Sequence, residues 1–334
     1  MIRSLSFALA LLCATLGAQA RDIVDMSGRT VSVPDEITSV YAMTHAMPLV
    51  VALAPDKLAG FASPRAMSAQ ALKLLPPELS KLPNLGGGPD ANLEKLKDLK
   101  LDIALGWTSP GETYPARQIE RIGLPVVNID VDRLDQYPAT FRFLGRLFQR
   151  EARGEILARE IEREMSEVQV AVAEAKGPKP RVYYAESPDG LTTQCDASDR
   201  VEVISRAGGV NALHCEPNAP FAANYPLGLE RLLMLDPDVI VTRFATTAEA
   251  IRKDPRWAQM KAVRAGKVFA APGEPFNWFD RPPSYMRALG ARWLAGKLFP
   301  GAKLRDLRVD ARAFYAMFFG VTPSDADLDR WLAP

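Results

Sequence analysis

Hydrophobic positions in this chain come in short runs separated by amphipathic stretches. ITSVYAM (37–43) is a β-rich run, helix signals follow in PLVVALAP (48–55), and KLAGFA (57–62) reads as a second short strand. LEKLKDL (93–99) carries leucines at helical spacing. DIALG (102–106) reads as a buried strand, RQIERIG (117–123) as a helix and PVVNID (125–130) as a strand. Alternation of this kind predicts a mostly parallel sheet with helices on its faces. It restarts after residue 180. RVYYAE (181–186) is a strand, DRVEVISRAG (199–208) a helix ending at Gly208-Gly209, and GLERLLML (228–235) a helix followed by the strand in DPDVIVT (236–242). KVFAAP (267–272) is the last strand, and YMRALGARWLAGKLFP (285–300) predicts an amphipathic closing helix.

Between the two halves, residues 140–176 contain no proline, and acidic and basic residues recur at helical spacing. KGPKP (176–180) stops the run. One long helix joining the halves is expected, the alternative being two helices broken near Gly154. The predicted fold is therefore α/β: two lobes with mostly parallel sheets, 21–139 and 177–334, joined by a single long interdomain helix at 140–176.

An internal repeat supports two lobes. Asn92–Leu105 aligns without gaps on Gly228–Val241, matching Leu93/Leu229, Glu94/Glu230, Leu96/Leu232, Leu99/Leu235 and Asp102/Asp238. The leucine matches need mean only similar packing. Glu94 and Glu230 do not fit the apolar stripe, although a carboxylate in the first turn of a helix is also favoured by the helix dipole.

Composition narrows the function. The chain has 334 residues, with 41 Lys plus Arg against 40 Asp plus Glu, a balance that leaves no electrostatic footprint for nucleic acid or for anionic membranes. Its first twenty residues have a basic start at Arg3, an apolar run too short to span a bilayer comfortably and the small-x-small sequence Ala18-Gln19-Ala20. These are the parts of a cleavable secretory signal, so residues 1–20 are set apart from the fold and export to the periplasm is expected. Cys13 follows Leu12, where a lipoprotein signal usually has a small residue, so soluble export is preferred. Beyond the signal two cysteines remain, Cys195 and Cys215, and an oxidising compartment predicts a disulfide between them.

The signal, the helix-linked halves and the paired LE-x-L-x-x-L-x-x-D segments resemble the periplasmic binding proteins of ABC importers for iron-siderophores, haem and cobalamin. DPRWAQMKAVRAGKVFAAP (254–272) is similar to the closing pattern of that family. The resemblance covers nearly all of the chain after the signal. It implies two α/β lobes with a ligand cleft between them, a monomer, no intrinsic cofactor and no catalysis. It further implies a membrane permease dimer as partner, docked by one glutamate per lobe. Glu94 and Glu230 fall on those positions, and two like charges on separate lobes make a two-point electrostatic register.

In parallel α/β sheets ligands bind beyond the carboxyl ends of the strands. That rule selects His45, Trp107, Glu186, Arg243 and the segment PFNWFDRPPS (275–284), with Trp278, Asp280 and Arg281. Aromatic faces suit a large apolar or aromatic chelator and Arg281 suits an anionic group. Each also has a packing explanation. Trp278 and Phe279 could cap the core of their lobe, Asp280 and Arg281 could pair with each other, and His45 could be a structural histidine. With only two histidines, a bare metal cage is not expected, and His45 is the single candidate for direct metal ligation. The expected ligand is a metal chelate of the iron-siderophore type; haem, cobalamin, a nickel chelate or an oxyanion such as molybdate are the alternatives on the same scaffold. A hydrolase ranks below these. No G-x-S-x-G elbow occurs, and Ser63 and Ser187 lack a readable base. LGGGPDA (85–91) follows Pro-Asn rather than a strand, so it reads as a turn and not a dinucleotide loop.

Overall fold

A computed structural model describes residues 20–62, 67–87, 91–107, 114–216 and 224–332. The expected signal peptide therefore lies outside the described residues except for Ala20, as do Ser63 and residues 88–90 of the glycine-rich turn.

An antiparallel ribbon opens the fold, β1 (Ala20–Val24) pairing with β2 (Thr30–Pro34). The first parallel sheet contains β3 (Val40–Ala42), β4 (Ile103–Trp107) and β5 (Val126–Ile129) in that order. Strands β6 (Arg181–Ala185), β8 (Val210–Asn211), β10 (Val239–Thr242) and β11 (Val268–Ala270) form the second, in the order β11-β10-β6-β8 and again all parallel. A small antiparallel pair, β7 (Thr192–Thr193) with β9 (Tyr225–Pro226), lies beside it. Strands β3, β4, β5 and β10 are buried along their whole length, which is why they read as unbroken apolar runs rather than as alternation. KLAGFA forms no strand. It contributes only isolated bridges, Val40 with Leu58 and Phe61 with Asn84.

The internal repeat is structural. Leu96 and Leu232 are both buried. The helices Leu93–Asp98 and Leu229–Leu235 are followed by residues in the left-handed region at equivalent positions, Lys100 (φ 47°) and Asp236 (φ 36°). The matched aspartates do the same work. Asp102 accepts from the Thr38 and Ser39 amides at 2.6 and 2.9 Å, and Asp238 accepts from the Arg181 amide at 2.8 Å. Each pins its own strand to the start of the neighbouring one.

The long connection is a helix of 23 residues, Glu151–Ala173, shorter than the expected 140–176. Residues 140–147 belong to a preceding helix, Tyr137–Leu147. The chain turns between them through Gln149 (φ 56°), with the Arg150 amide donating to Gly145 O at 2.7 Å and the Gln149 amide to Arg146 O. This is a Schellman closure with glutamine in the place glycine usually takes. Gly154 is not the break. It lies inside the long helix, where a Cβ would come 2.6 Å from Phe141 O and 3.1 Å from Gly145 Cα, so it permits close packing of the two helices.

The closing helix, Met286–Leu298, is buried nearly all round and not amphipathic as expected. Its polar positions Arg287 and Arg292 are inside and paired. Arg292 binds Glu164 and Glu167 of the long helix, each at 2.6 Å, and Asp310 at 3.2 Å. Arg287 donates to the Val131 and Asp132 carbonyls and lies 3.4 Å from Glu202. The helices Leu307–Phe319 and Asp325–Leu332, expected within the C-terminal lobe, pack towards the N-terminal one: Met47–Leu53 lies against Leu307–Phe319, and Gln70 donates to Asp327 at 2.8 Å. One continuous apolar core accordingly runs through both lobes, and a smaller one lies beyond the second sheet. Cys195 and Cys215 are joined by a disulfide with Cα atoms 4.9 Å apart, as expected.

Candidate functional site

Backbone bonds align the strand ends of each sheet. The Met43 amide donates to Leu105 O, that of Arg243 to Ala185 O and that of Ala271 to Thr242 O. His45, Trp107, Glu186, Arg243 and the 271–281 segment therefore leave the sheets at their carboxyl ends.

The N-terminal lobe supplies a neutral wall. His45 lies against Trp107 with ring centroids 4.0 Å apart and the ring planes tilted by 32°. Its Nδ1 has no hydrogen-bond partner, and the indole N–H of Trp107 has none either. Burial pushes the imidazole down to about 3, helped by the positive charges of Arg287, Arg200 and Arg281. The ring is neutral at physiological pH and lies within reach of the charges of those arginines.

The C-terminal lobe supplies the charge. Glu186 pairs with Arg281 and lies 3.9 Å from Arg200. Its other oxygen accepts from Gln194, whose amide also donates to Asn224 at 2.8 Å; Asn224 in turn accepts from Arg200 at 2.9 Å. On the far side of Arg281, Asp280 accepts from the Tyr184 hydroxyl at 3.0 Å and from Arg281 Nε at 3.3 Å. Asp280 Oδ1 is buried without a partner. Burial pushes Asp280 up to about 6, against the opposing pull of Arg243 and the Tyr184 hydrogen bond. Arg243 lies over the half-exposed ring of Phe244, 5.3 Å from its centroid. Arg200, Arg243 and Arg281 thus stand against two carboxylates, one of which burial pushes toward its neutral form.

The segment 275–284 divides. Asn277 Oδ1 accepts from the amides of Phe279 and Asp280 at 2.7 and 2.8 Å, which turns the chain sharply. Trp278 points inward and is fully buried, its N–H donating to Tyr315 at 3.1 Å and its rings packed on Tyr315 and Trp331. Phe279 stacks on Tyr184 at 4.4 Å. The expectation that Trp278 lies against ligand is corrected: an indole with no exposed surface supports the wall from behind. Arg281 keeps part of its side chain exposed and pairs with Glu186.

Sequence reasoning missed Arg200, Gln194 and Arg287. Arg200 falls within DRVEVISRAG, read as a helix, but it belongs to a single turn, Asp199–Val201, just before the helix. Glu94 and Glu230 are exposed in the first turns of their helices. Ser187 is a turn residue, its hydroxyl donating to Asp189 and accepting from the Thr192 amide. His214 pairs with Asp196 at 2.6 Å on the disulfide loop.

Two parallel-sheet lobes, a helix between them and polar loops converging at the strand ends define a two-lobe solute-binding protein. Residues 48–275 match the model of the periplasmic binding protein family, and the chain belongs to that family. An ABC transporter solute-binding protein from Sulfurospirillum deleyianum superposes with a TM-score of 0.86 at 33% identity, covering 94% of this chain and 99% of its own. The molybdate-binding protein MolA of Haemophilus influenzae is 24% identical over 326 residues, 90% of this chain and 91% of that protein. The vitamin B12-binding protein of Pectobacterium atrosepticum is 25% identical over 169 residues. The match spans 59% of that relative's length, and 51% of the corresponding protein of Pectobacterium carotovorum. Among the described residues no helix is long and apolar enough to cross a membrane.

Proposed function

We propose that this protein is the exported substrate-binding component of an ABC importer and that it captures an anionic ligand between its lobes. The observation that carries the ligand class is the grouping of Arg200, Arg243 and Arg281 around Glu186 and Asp280 at the strand ends of the C-terminal lobe. Guanidinium groups in a partly desolvated cleft recognise oxyanions and carboxylates by paired N–H donors. A compact oxyanion such as molybdate fits this chemistry, and the nearly end-to-end relationship to a molybdate-binding protein supports it. The chelate expected from sequence leaned on Trp278 as an aromatic wall. With that ring buried, an iron-siderophore complex stays a candidate only in anionic form, with Trp107 and Phe244 as its apolar contacts. Glu94 and Glu230 are the proposed docking points for the permease.

Titrating the purified protein with molybdate, tungstate, sulfate and a ferric tris-catecholate by calorimetry separates these ligands. Arg200→Ala and Arg281→Ala should each weaken binding of the preferred anion by about thirtyfold or more. Unchanged affinity in both variants, or capture of a neutral ligand alone, overturns the reading. Exchanging both glutamates, Glu94→Arg with Glu230→Arg, should abolish uptake and leave solution affinity intact; wild-type uptake by that double variant rules out the docking role.

A further inference from the structure

We infer that Glu186 is an internal anion of the cleft: its carboxylate already occupies Arg281 and lies beside Arg200, so an incoming anion competes with it and Glu186 limits the affinity of the site. This inference rests on the anionic-ligand reading above and deepens it.

The geometry is specific. Glu186 follows β6, at the centre of the charged wall, with its side chain 5% exposed. One oxygen meets Arg281 and, at 3.9 Å, Arg200. The other is held by Gln194, which is itself fully buried and anchored by Asn224 and by Ser198, whose hydroxyl donates to it at 3.1 Å. A carboxylate presents a guanidinium with the same two-oxygen acceptor edge that an oxyanion presents. In a poorly solvated cleft two anions sharing a pair of arginines repel each other far more than they would in water. Ligand capture is then an exchange of partners at Arg281, with no bond made or broken covalently. Asp280 cannot do the same job. It meets Arg281 through Nε and accepts from the Tyr184 hydroxyl with the same oxygen, so it steadies the guanidinium at another edge than the Nη2 that Glu186 meets.

Glu186→Gln removes the charge but keeps an oxygen to accept from Gln194. Its dissociation constant for the probe anion, molybdate, should fall about tenfold, the direction being that of a lost repulsion. Glu186→Asp keeps the charge and should stay within about threefold of wild type. The gain should vanish when Arg281 is also replaced, so Glu186→Gln with Arg281→Gln should bind no better than Arg281→Gln alone. Thermal unfolding without probe checks that each variant is folded. Binding of molybdate by Glu186→Gln where wild type binds weakly or not at all supports the inference. If wild type binds and the Arg200 and Arg281 variants lose binding, yet Glu186→Gln is unchanged or weaker, the internal-anion role falls and the anionic-ligand reading stands. If neither wild type nor Glu186→Gln binds molybdate, tungstate, sulfate or the ferric catecholate, both fall together.

Discussion

The two walls of the proposed cleft are built from different materials on similar frames. Both sit at the carboxyl ends of parallel strands, and both lobes share the helix–turn–strand repeat with its left-handed residue and its strand-pinning aspartate. The N-terminal wall presents a neutral imidazole lying against an indole. The C-terminal wall presents two guanidinium groups, Arg200 and Arg281, and two carboxylates in one polar chain from Asn224 to Tyr184, with Arg243 acting on Asp280 by its charge alone. A frame fixed by backbone registry can therefore carry either kind of surface, and under the proposed function charge selection falls to one lobe.

The sharpest way to break this comparison is to ask where the charged wall ends and its support begins. Trp278 and Arg281 are three residues apart with opposite fates. Trp278→Ala removes a fully buried indole and its hydrogen bond to Tyr315, and should cost roughly 3–5 kcal/mol of stability. Affinity for the anion should change less than about threefold, since the ring has no surface in the cleft. Gly290→Ala tests the same contact from the other side, because a Cβ there would lie 1.8 Å from Trp278 O. Chemical denaturation and calorimetry of both variants decide the matter. Strongly weakened binding with unchanged stability would return Trp278 to the cleft.

That pair also shows what sequence could and could not reveal. Buried parallel strands were legible because burial on both faces makes a short, unbroken apolar run, as in VVNI and VIVT. The repeat was legible because the same packing and the same aspartate recur at fixed spacing. Glu186, Arg243 and Arg281 were singled out by the strand-end rule alone, and the structure pairs Glu186 with Arg281. The direction of Trp278 was not legible, since Asn277 sets the turn and the partners Tyr315 and Trp331 are distant in sequence. Nor was the turn at Gln149, where a glutamine occupies a left-handed position that glycine would have advertised. The burial of Arg287 and Arg292 was hidden for a related reason. A sequence shows a charged residue but not the carboxylates and carbonyls that four other segments bring to it.

The walls should also differ in how they respond to acid. His45 and Asp280 are both driven towards their neutral forms by burial, which moves them in opposite directions along the pH scale. Asp280 goes from an ordinary 3.8 up to about 6. The folded protein then holds this proton more tightly than the unfolded chain, so its contribution to stability is fully present below about pH 3.8 and is lost as pH rises through 6. Asp280→Asn keeps an acceptor for Tyr184 and removes the titration. Its stability relative to wild type should rise between pH 4 and 6, by a total on the order of 3 kcal/mol, and stay level above. His45 goes from 6.5 down to about 3. Here the unfolded chain binds the proton first, so wild type loses stability as pH falls below 6.5, and His45→Gln should gain on it in that direction. Urea unfolding of the three proteins at half-unit intervals from pH 4 to 7.5 therefore gives two difference curves of opposite slope. Curves with the same slope, or both flat, would show that the two walls are not distinguished by how they hold their protons.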